Sequence, residues 1–237
     1  MTESLRKQSF FVTGTDTGIG KTYVSRLLAD TMAESTKVTY MKPVQTGCTI
    51  DTSGMIRAPD FDHVMQGKAI MTGSYEQHVP YRFEPACSPH LAAELAGIPI
   101  SFTKVKECFE SVQKKGIVLL IEGAGGILAP LSRTTYILDL ILFLKIPVLL
   151  VTSPRLGTLN HTILTIEYLR MRDILLAGLI MNYHDGSSEG YIYNDNRRML
   201  KEHVFPVPFL EVHHGANSGD ESVRGFCKDI IRNGIRC

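Results

Sequence analysis

The chain has 237 residues, 44% apolar and 21% charged, a balance that suits a folded protein of one α/β domain spanning 1–237. Its 25 basic and 24 acidic residues leave a formal charge of +1, which gives no reason to expect nucleic acid or a membrane surface as partner. Five cysteines (Cys48, Cys87, Cys108, Cys227 and Cys237) form an odd set without a Cys-x-x-Cys pair, which speaks against a disulfide framework or a thiolate metal site.

Arg6 and Lys7 precede an apolar run, 10–12, too short for the core of a secretion signal. The stretch Ile137–Leu144 contains Asp139 and falls far below membrane-spanning length, so a soluble, cytoplasmic protein is expected. Taken in chain order, short apolar runs predict strands over 9–13, 37–41, 117–121, 147–152, 175–181 and 208–210, several of them near-continuous in Val, Ile and Leu. Several lack alternation, as strands covered on both faces should. Between them, helices are predicted over 22–34, 102–115, 159–171 and 197–203. Ser88-Pro89 marks a further helix start, with serine as N-cap and proline at the first helical position. The stretches 48–58 and 185–190 read as loops. Strand–helix alternation predicts a mostly parallel central sheet with helices on both faces.

The decisive element is Gly14-Thr15-Asp16-Thr17-Gly18-Ile19-Gly20-Lys21-Thr22, which follows a predicted strand and opens a predicted helix. Such a loop turns consecutive backbone N–H groups toward phosphate oxygens, assisted by the positive end of the helix. Gly18, Ile19, Gly20, Lys21 and Thr22 are the candidate nucleotide-binding residues, with Lys21 reaching the outer phosphates and the Thr22 hydroxyl available to Mg²⁺. The usual Gly-x-x-x-x-Gly-Lys-Thr spacing would put glycine at 15. Here Thr15 stands there and Gly14 precedes it.

Other polar residues gather at strand ends, where sheets of this kind bind ligands. Lys42-Pro43 follows the second strand, Glu122-Gly123-Ala124-Gly125-Gly126 follows the strand 117–121, and Asn182 ends the strand 175–181. An acid at 122 suits a metal ion, and an amide at 182 suits a base edge. Asp60 and Asp62 are acids on a loop or short helix, and residues alone do not single either out. His90, His161, His213 and His214 have no ligand-type spacing and read as capping or surface residues.

Together these segments resemble the dethiobiotin synthetase family. The resemblance rests on the Gly14 to Thr22 loop, Lys42-Pro43-Val44-x-Thr46-Gly47, Ser88-Pro89-His90, Glu122-Gly123-Ala124-Gly125-Gly126 and Leu156-Gly157-x-x-Asn160-His161. It extends to the strand ending at Asn182. The family implies a P-loop fold and a homodimer that converts 7,8-diaminononanoate, CO₂ and ATP into dethiobiotin, ADP and phosphate. Carried over by motif, Thr22 and Glu122 match its Mg²⁺ ligands. Lys21 and Lys42 match its phosphate- and carbamate-facing cations, and Thr17 and Thr46 its substrate- or phosphate-contacting hydroxyls. Gly125 falls in the glycine-rich stretch beside the substrate. Asn182 matches the adenine contact, and Asn160 a residue that reaches the substrate of the neighbouring subunit. Asp60 fits the third metal acid best, with Asp62 as the alternative. Gly18 stands at a position that carries an acid in some members, so that side-chain contact is lacking.

Two other readings compete. An amide-forming synthetase of the cobyrinic acid type would usually carry a glutaminase domain, for which this chain is too short. A partitioning-type switch ATPase would usually carry a further lysine where this chain has Thr15 and Asp16.

Overall fold

The computed structural model describes residues 8–183 and 190–236. In chain order its elements begin with β1 (Ser9–Gly14), α1 (Lys21–Met32), β2 (Lys37–Met41), β3 (Val44–Gln45), β4 (Thr49–Ile50) and β5 (Ile56–Arg57). There follow α2 (Pro59–Met65), α3 (Tyr75–His78), β6 (Tyr81–Arg82), α4 (Pro89–Ala96), α5 (Phe102–Val112), β7 (Ile117–Gly126) and α6 (Ile137–Leu144). The last are β8 (Val148–Thr152), α7 (Thr158–Met171), β9 (Leu176–Asn182), α8 (Tyr191–Val204), β10 (Phe209–Val212) and α9 (Glu221–Arg236).

Six strands form one parallel sheet in the order β10-β9-β8-β1-β7-β2. Alternation along each strand sends side chains to opposite faces. Val38 and Tyr40 of β2 join Val118 and Leu120 of β7 in the core under α1, α2 and α9. Leu119 and Ile121 belong to the opposite core, under α4 to α8. The chain runs from β1 outward to β2, returns to β7, then crosses to β8 on the other flank of β1. Open parallel sheets bind ligands beyond the carboxyl ends of their strands at such a reversal.

The expected sheet and helices over 22–34, 102–115 and 159–171 are present, with ends shifted by a few residues. Other expectations need correction. The strand 117–121 continues to Gly126, because β7 goes on pairing with β1 through Val12↔Glu122 and Gly14↔Gly126. Glu122 is therefore a strand residue rather than one that follows the strand. The glycines after it permit close packing: a Cβ at Gly123 would lie 2.8 Å from the Phe11 ring. The loop 48–58 contains the antiparallel pair β4–β5. The helix expected at 197–203 starts earlier, at Tyr191. Ser88 does precede α4 with extended backbone, but its hydroxyl meets His90 Nδ1 at 3.0 Å instead of capping the helix. Helices α6 and α9 were not anticipated: α6 is apolar on most sides, so its periodicity is weak. Apart from Gly190, the expected loop 185–190 lies outside the described residues.

Candidate active site

The phosphate-binding loop leaves β1 at Gly14, where a Cβ would stand 2.5 Å from Ile19 Cδ1 and 3.2 Å from Asp16 O, so the loop folds back closely over this glycine. Gly20, at φ 83°, turns the chain through the left-handed region directly before α1. The loop is tied down from the β8–β9 side: Thr15 N donates to Val151 O at 3.0 Å, and Asn182 Nδ2 donates to Ile19 O at 2.9 Å. The unpaired N–H groups of the first helical turn make this end of α1 a phosphate seat. Lys21 is nearly buried, and its ammonium donates to Asp16 O at 2.8 Å. Burial, reinforced by the neighbouring Lys42 charge, lowers its pKa to about 8.

Beside the loop lies a buried carboxylate node. The alternation that points Tyr40 toward α1 also points Lys42 there, and Glu122 follows Leu120 on the same face of β7. From above, α1 brings Thr22 and Ser25, one helical turn apart, onto the same spot. Glu122 Oε1 accepts from Thr22 Oγ1 at 2.8 Å and from Lys42 Nζ at 2.7 Å. Its Oε2 accepts from Ser25 Oγ at 2.7 Å and from the Tyr40 hydroxyl at 2.9 Å. The Lys42 ammonium also lies 2.7 Å from Asp60 Oδ2. Burial works against the Lys42 charge, but Glu122 and Asp60 outweigh it and hold its pKa above the ordinary value. Burial likewise opposes the Asp60 charge, and Lys42 overcomes it, keeping that carboxyl below its usual range. Asp62 is elsewhere, held bidentately by Arg57 at 3.0 and 2.7 Å. Of the two acids, Asp60 is the one beside Lys42.

An open cleft of about 550 Å³ adjoins the loop, lined by Gly14 to Thr17, Gly125, Leu128 and the α7 residues His161, Leu164 and Tyr168 among others. Thr17 is exposed at its edge, facing Gly125. Two of the expected site residues do not join either group. Thr46 is half-buried past β3, its carbonyl accepting from Gln45 Nε2 at 3.0 Å. Asn160 is exposed in the first turn of α7, and Gly157 rather than Asn160 holds that helix's N-cap position. Ser25, Tyr40 and His161 were missed as site residues. The first two carry a legible signal, one turn after Thr22 and two residues before Lys42. His161 gives none until α7 is laid against the loop.

Thr22, Glu122 and Asp60 offer the hard oxygen donors that Mg²⁺ prefers. Among the described residues no three His, Cys, Asp or Glu side chains converge on one point, so an ion here needs further ligands from phosphate and water. Mg²⁺ ordinarily binds in that way, through one or two carboxylates with substrate phosphates. The Lys42 ammonium, within 2.7 Å of both carboxylates, already shows that the node accommodates positive charge. The residues fit the ion.

A parallel sheet whose first strand feeds a glycine loop and a Lys-Thr helix start defines a phosphate-loop nucleotide-binding protein. The chain accordingly matches a family model described as an AAA domain over residues 8–210. It is 34% identical to the ATP-dependent dethiobiotin synthetase BioD of Thermodesulfovibrio yellowstonii over 233 residues, covering 93% of this chain and 96% of that protein. It is 39% identical to the enzyme of the same name from Fusobacterium nucleatum over 197 residues, covering 83% and 87%. The chain belongs to the ATP-dependent dethiobiotin synthetase family. Among solved structures it is similar to a plasmid partition protein from Borrelia burgdorferi, with a TM-score of 0.55 and 10% identity over 96% of this chain and 97% of that one. That likeness concerns the fold alone.

Proposed function

We infer that the chain joins CO₂ to 7,8-diaminononanoate and closes the ring to dethiobiotin, consuming ATP and releasing ADP and phosphate. The observation that carries this reading is the convergence of Lys21, Lys42, Thr22, Glu122 and Asp60 at the phosphate loop. One amine takes up CO₂ as a carbamate, whose oxygen attacks the γ-phosphate and displaces ADP. The second amine then attacks the carbamate carbon and expels phosphate. No step needs a nucleophilic side chain. Each builds negative charge on oxygen, which positioned cations and backbone N–H groups stabilise.

In this reading Lys21 and the N–H groups of Gly18 to Thr22 hold the phosphates, and Lys42 faces the carbamate and the γ-phosphate. Thr17 and Gly125 flank the diamine, whose hydrocarbon chain lies in the cleft along Leu128 and Leu164. Asn182 meets the adenine while its amide keeps the loop in place. Thr22, Glu122 and Asp60 hold Mg²⁺, which supplies charge neutralisation on the phosphates when bound. The protein acts as a homodimer, with Asn160 serving the neighbouring site. Support comes from the exposure of Asn160 and of Leu156, Leu164 and Met171, before and along α7, at 85%, 62% and 76%. Among the described residues no helix is long and apolar enough to cross a membrane. A cytoplasmic location belongs to the same reading, supported by the free thiols of Cys48, Cys87, Cys108 and Cys227.

The test is phosphate release with ATP alone against ATP plus diaminononanoate and bicarbonate, with the product identified by mass. Release should depend on the diamine and yield dethiobiotin. Release that ignores the diamine would overturn the assignment.

A further inference from the structure

Glu122 stands apart from ordinary metal carboxylates in having both oxygens satisfied from opposite sides, inside the protein. Glu122, Tyr40 and Ser25 are all fully buried. A free carboxylate rotates about its terminal bond and exchanges its two oxygens. Here one oxygen takes two hydroxyl donors from the core side, Ser25 Oγ at 2.7 Å and Tyr40 OH at 2.9 Å. The other faces Thr22 and Lys42, the side on which the phosphate loop lies. Rotation of the carboxylate would break charge-assisted hydrogen bonds on both sides at once.

We propose that Ser25 and Tyr40 are positioning residues that fix Glu122 so that Oε1 alone is presented to Mg²⁺ and Lys42. The hydroxyls come from rigid elements, α1 and β2. Tyr40 is itself held by stacking on Phe61 with ring centroids 6.0 Å apart, and its carbonyl is met by His78 Nδ1 at 2.6 Å. Outer partners that orient metal ligands typically change metal affinity by about 10–100-fold when removed. The proposal rests on the metal reading given above, and its test separates the two.

Tyr40→Phe keeps the ring and its packing and removes one donor, and Ser25→Ala removes the other. The measurement is binding of a non-hydrolysable ATP analogue by calorimetry with and without Mg²⁺, in wild type, both single variants, the double variant and Glu122→Gln. Thermal denaturation is followed in parallel. In wild type Mg²⁺ should tighten binding. Each single variant should lose part of that tightening, about 3- to 10-fold, and the double variant about 10-fold or more. Binding without Mg²⁺ should change little. A purely structural role would lower the melting temperature and leave the Mg²⁺ ratio intact. The positioning role is overturned if folded Tyr40→Phe and Ser25→Ala keep the wild-type ratio while Glu122→Gln loses it. If Glu122→Gln keeps the ratio as well, the metal reading itself fails. Should Ser25→Ala fold poorly, Ser25→Thr, which keeps the hydroxyl, should hold the wild-type ratio, and a loss of the ratio in folded Ser25→Thr would count against the role; Tyr40→Phe then tests the other donor independently.

Discussion

Replacing Lys42 with methionine tests the buried charge node on which the site is built. Methionine preserves the length and most of the apolar stem, so the change is close to removal of the ammonium alone. Lys42 is 3% exposed and lies 2.7 Å from both Glu122 and Asp60. Deleting one member of a buried ion pair costs about 3–5 kcal/mol, because the charge left behind is uncompensated. Two features pull the value to the lower end. Asp60's side chain is 33% exposed, and Glu122 keeps three hydroxyl donors, from Thr22, Ser25 and Tyr40. The expected loss is about 3 kcal/mol, or about 6–12 °C in melting temperature for a chain of this size. The effect has a definite pH dependence. Asp60's folded pKa lies below its ordinary value of 3.8, so its contribution is present above that value and lost as pH falls through the lowered one. Lys42's folded pKa lies above 10.5, so its contribution is complete below 10.5 and lost as pH rises through the raised value. Without the ammonium, Asp60 loses the partner that offsets its burial and takes up a proton more readily on folding, so the gap to wild type should narrow as pH is lowered toward 4. Urea denaturation at pH 7 and at lower values measures this. A variant within about 1 kcal/mol of wild type at pH 7, with no pH trend, would refute the account.

Other perturbations probe the neighbouring parts. Lys21→Ala should lower turnover at least about 100-fold while the fold survives, which circular dichroism and steady-state rates would show. Because the Lys21 pKa is about 8, its charge is lost as pH rises through that value. Nucleotide binding by wild type should therefore weaken above pH 8, up to about tenfold per unit, while Lys21→Ala shows no such step. Thr152 Oγ1 lies 2.8 Å from Thr158 and 2.7 Å from Thr162 in a buried hydroxyl cluster. Thr152→Val keeps the shape, breaks both bonds, and should cost about 1–3 kcal/mol in denaturant unfolding. If the site is shared across a dimer, mixing inactive Lys21→Ala with inactive Asn160→Ala subunits should restore turnover. Its absence in demonstrated mixed dimers would leave Asn160 without that role.

Much of the sheet was legible because parallel strands buried on both faces leave uninterrupted Val, Ile and Leu runs, and the strands at 117–121 and 147–152 show this plainly. The phosphate loop was legible because Gly18, Gly20, Lys21 and Thr22 sit together in the chain. The carboxylate node was legible only in part. Lys42 and Glu122 could be named as strand-end residues, but which face each occupies depends on register, and Ser25 and Tyr40 carry only a spacing signal, one turn after Thr22 and two residues before Lys42, which gains its meaning once β2, β7 and α1 are brought together. The choice between Asp60 and Asp62 shows the same limit. They are two residues apart, and what separates them is Arg57, which takes Asp62 and leaves Asp60 to Lys42.

The sheet does not select the chemistry. A partition protein shares its overall shape at 10% identity, so the residues that decide what happens to the nucleotide must be ones that a sheet can gain or lose without changing its packing. The node meets that condition. Glu122, Tyr40 and Lys42 occupy positions that period-2 alternation would otherwise give to core side chains, and on α1 Ser25 is buried and Thr22 half-buried beside them. Five polar side chains in an apolar layer are tolerable only because each hydrogen-bonds another, with the Glu122 charge met by the Lys42 charge. Glu122 is the shared acceptor, so its removal would strip four donors of that partner at once, whereas removal of one donor leaves it three. The same network holds the Lys42 cation and the Glu122 carboxylate beside the phosphate loop, where the reaction gathers negative charge on oxygen.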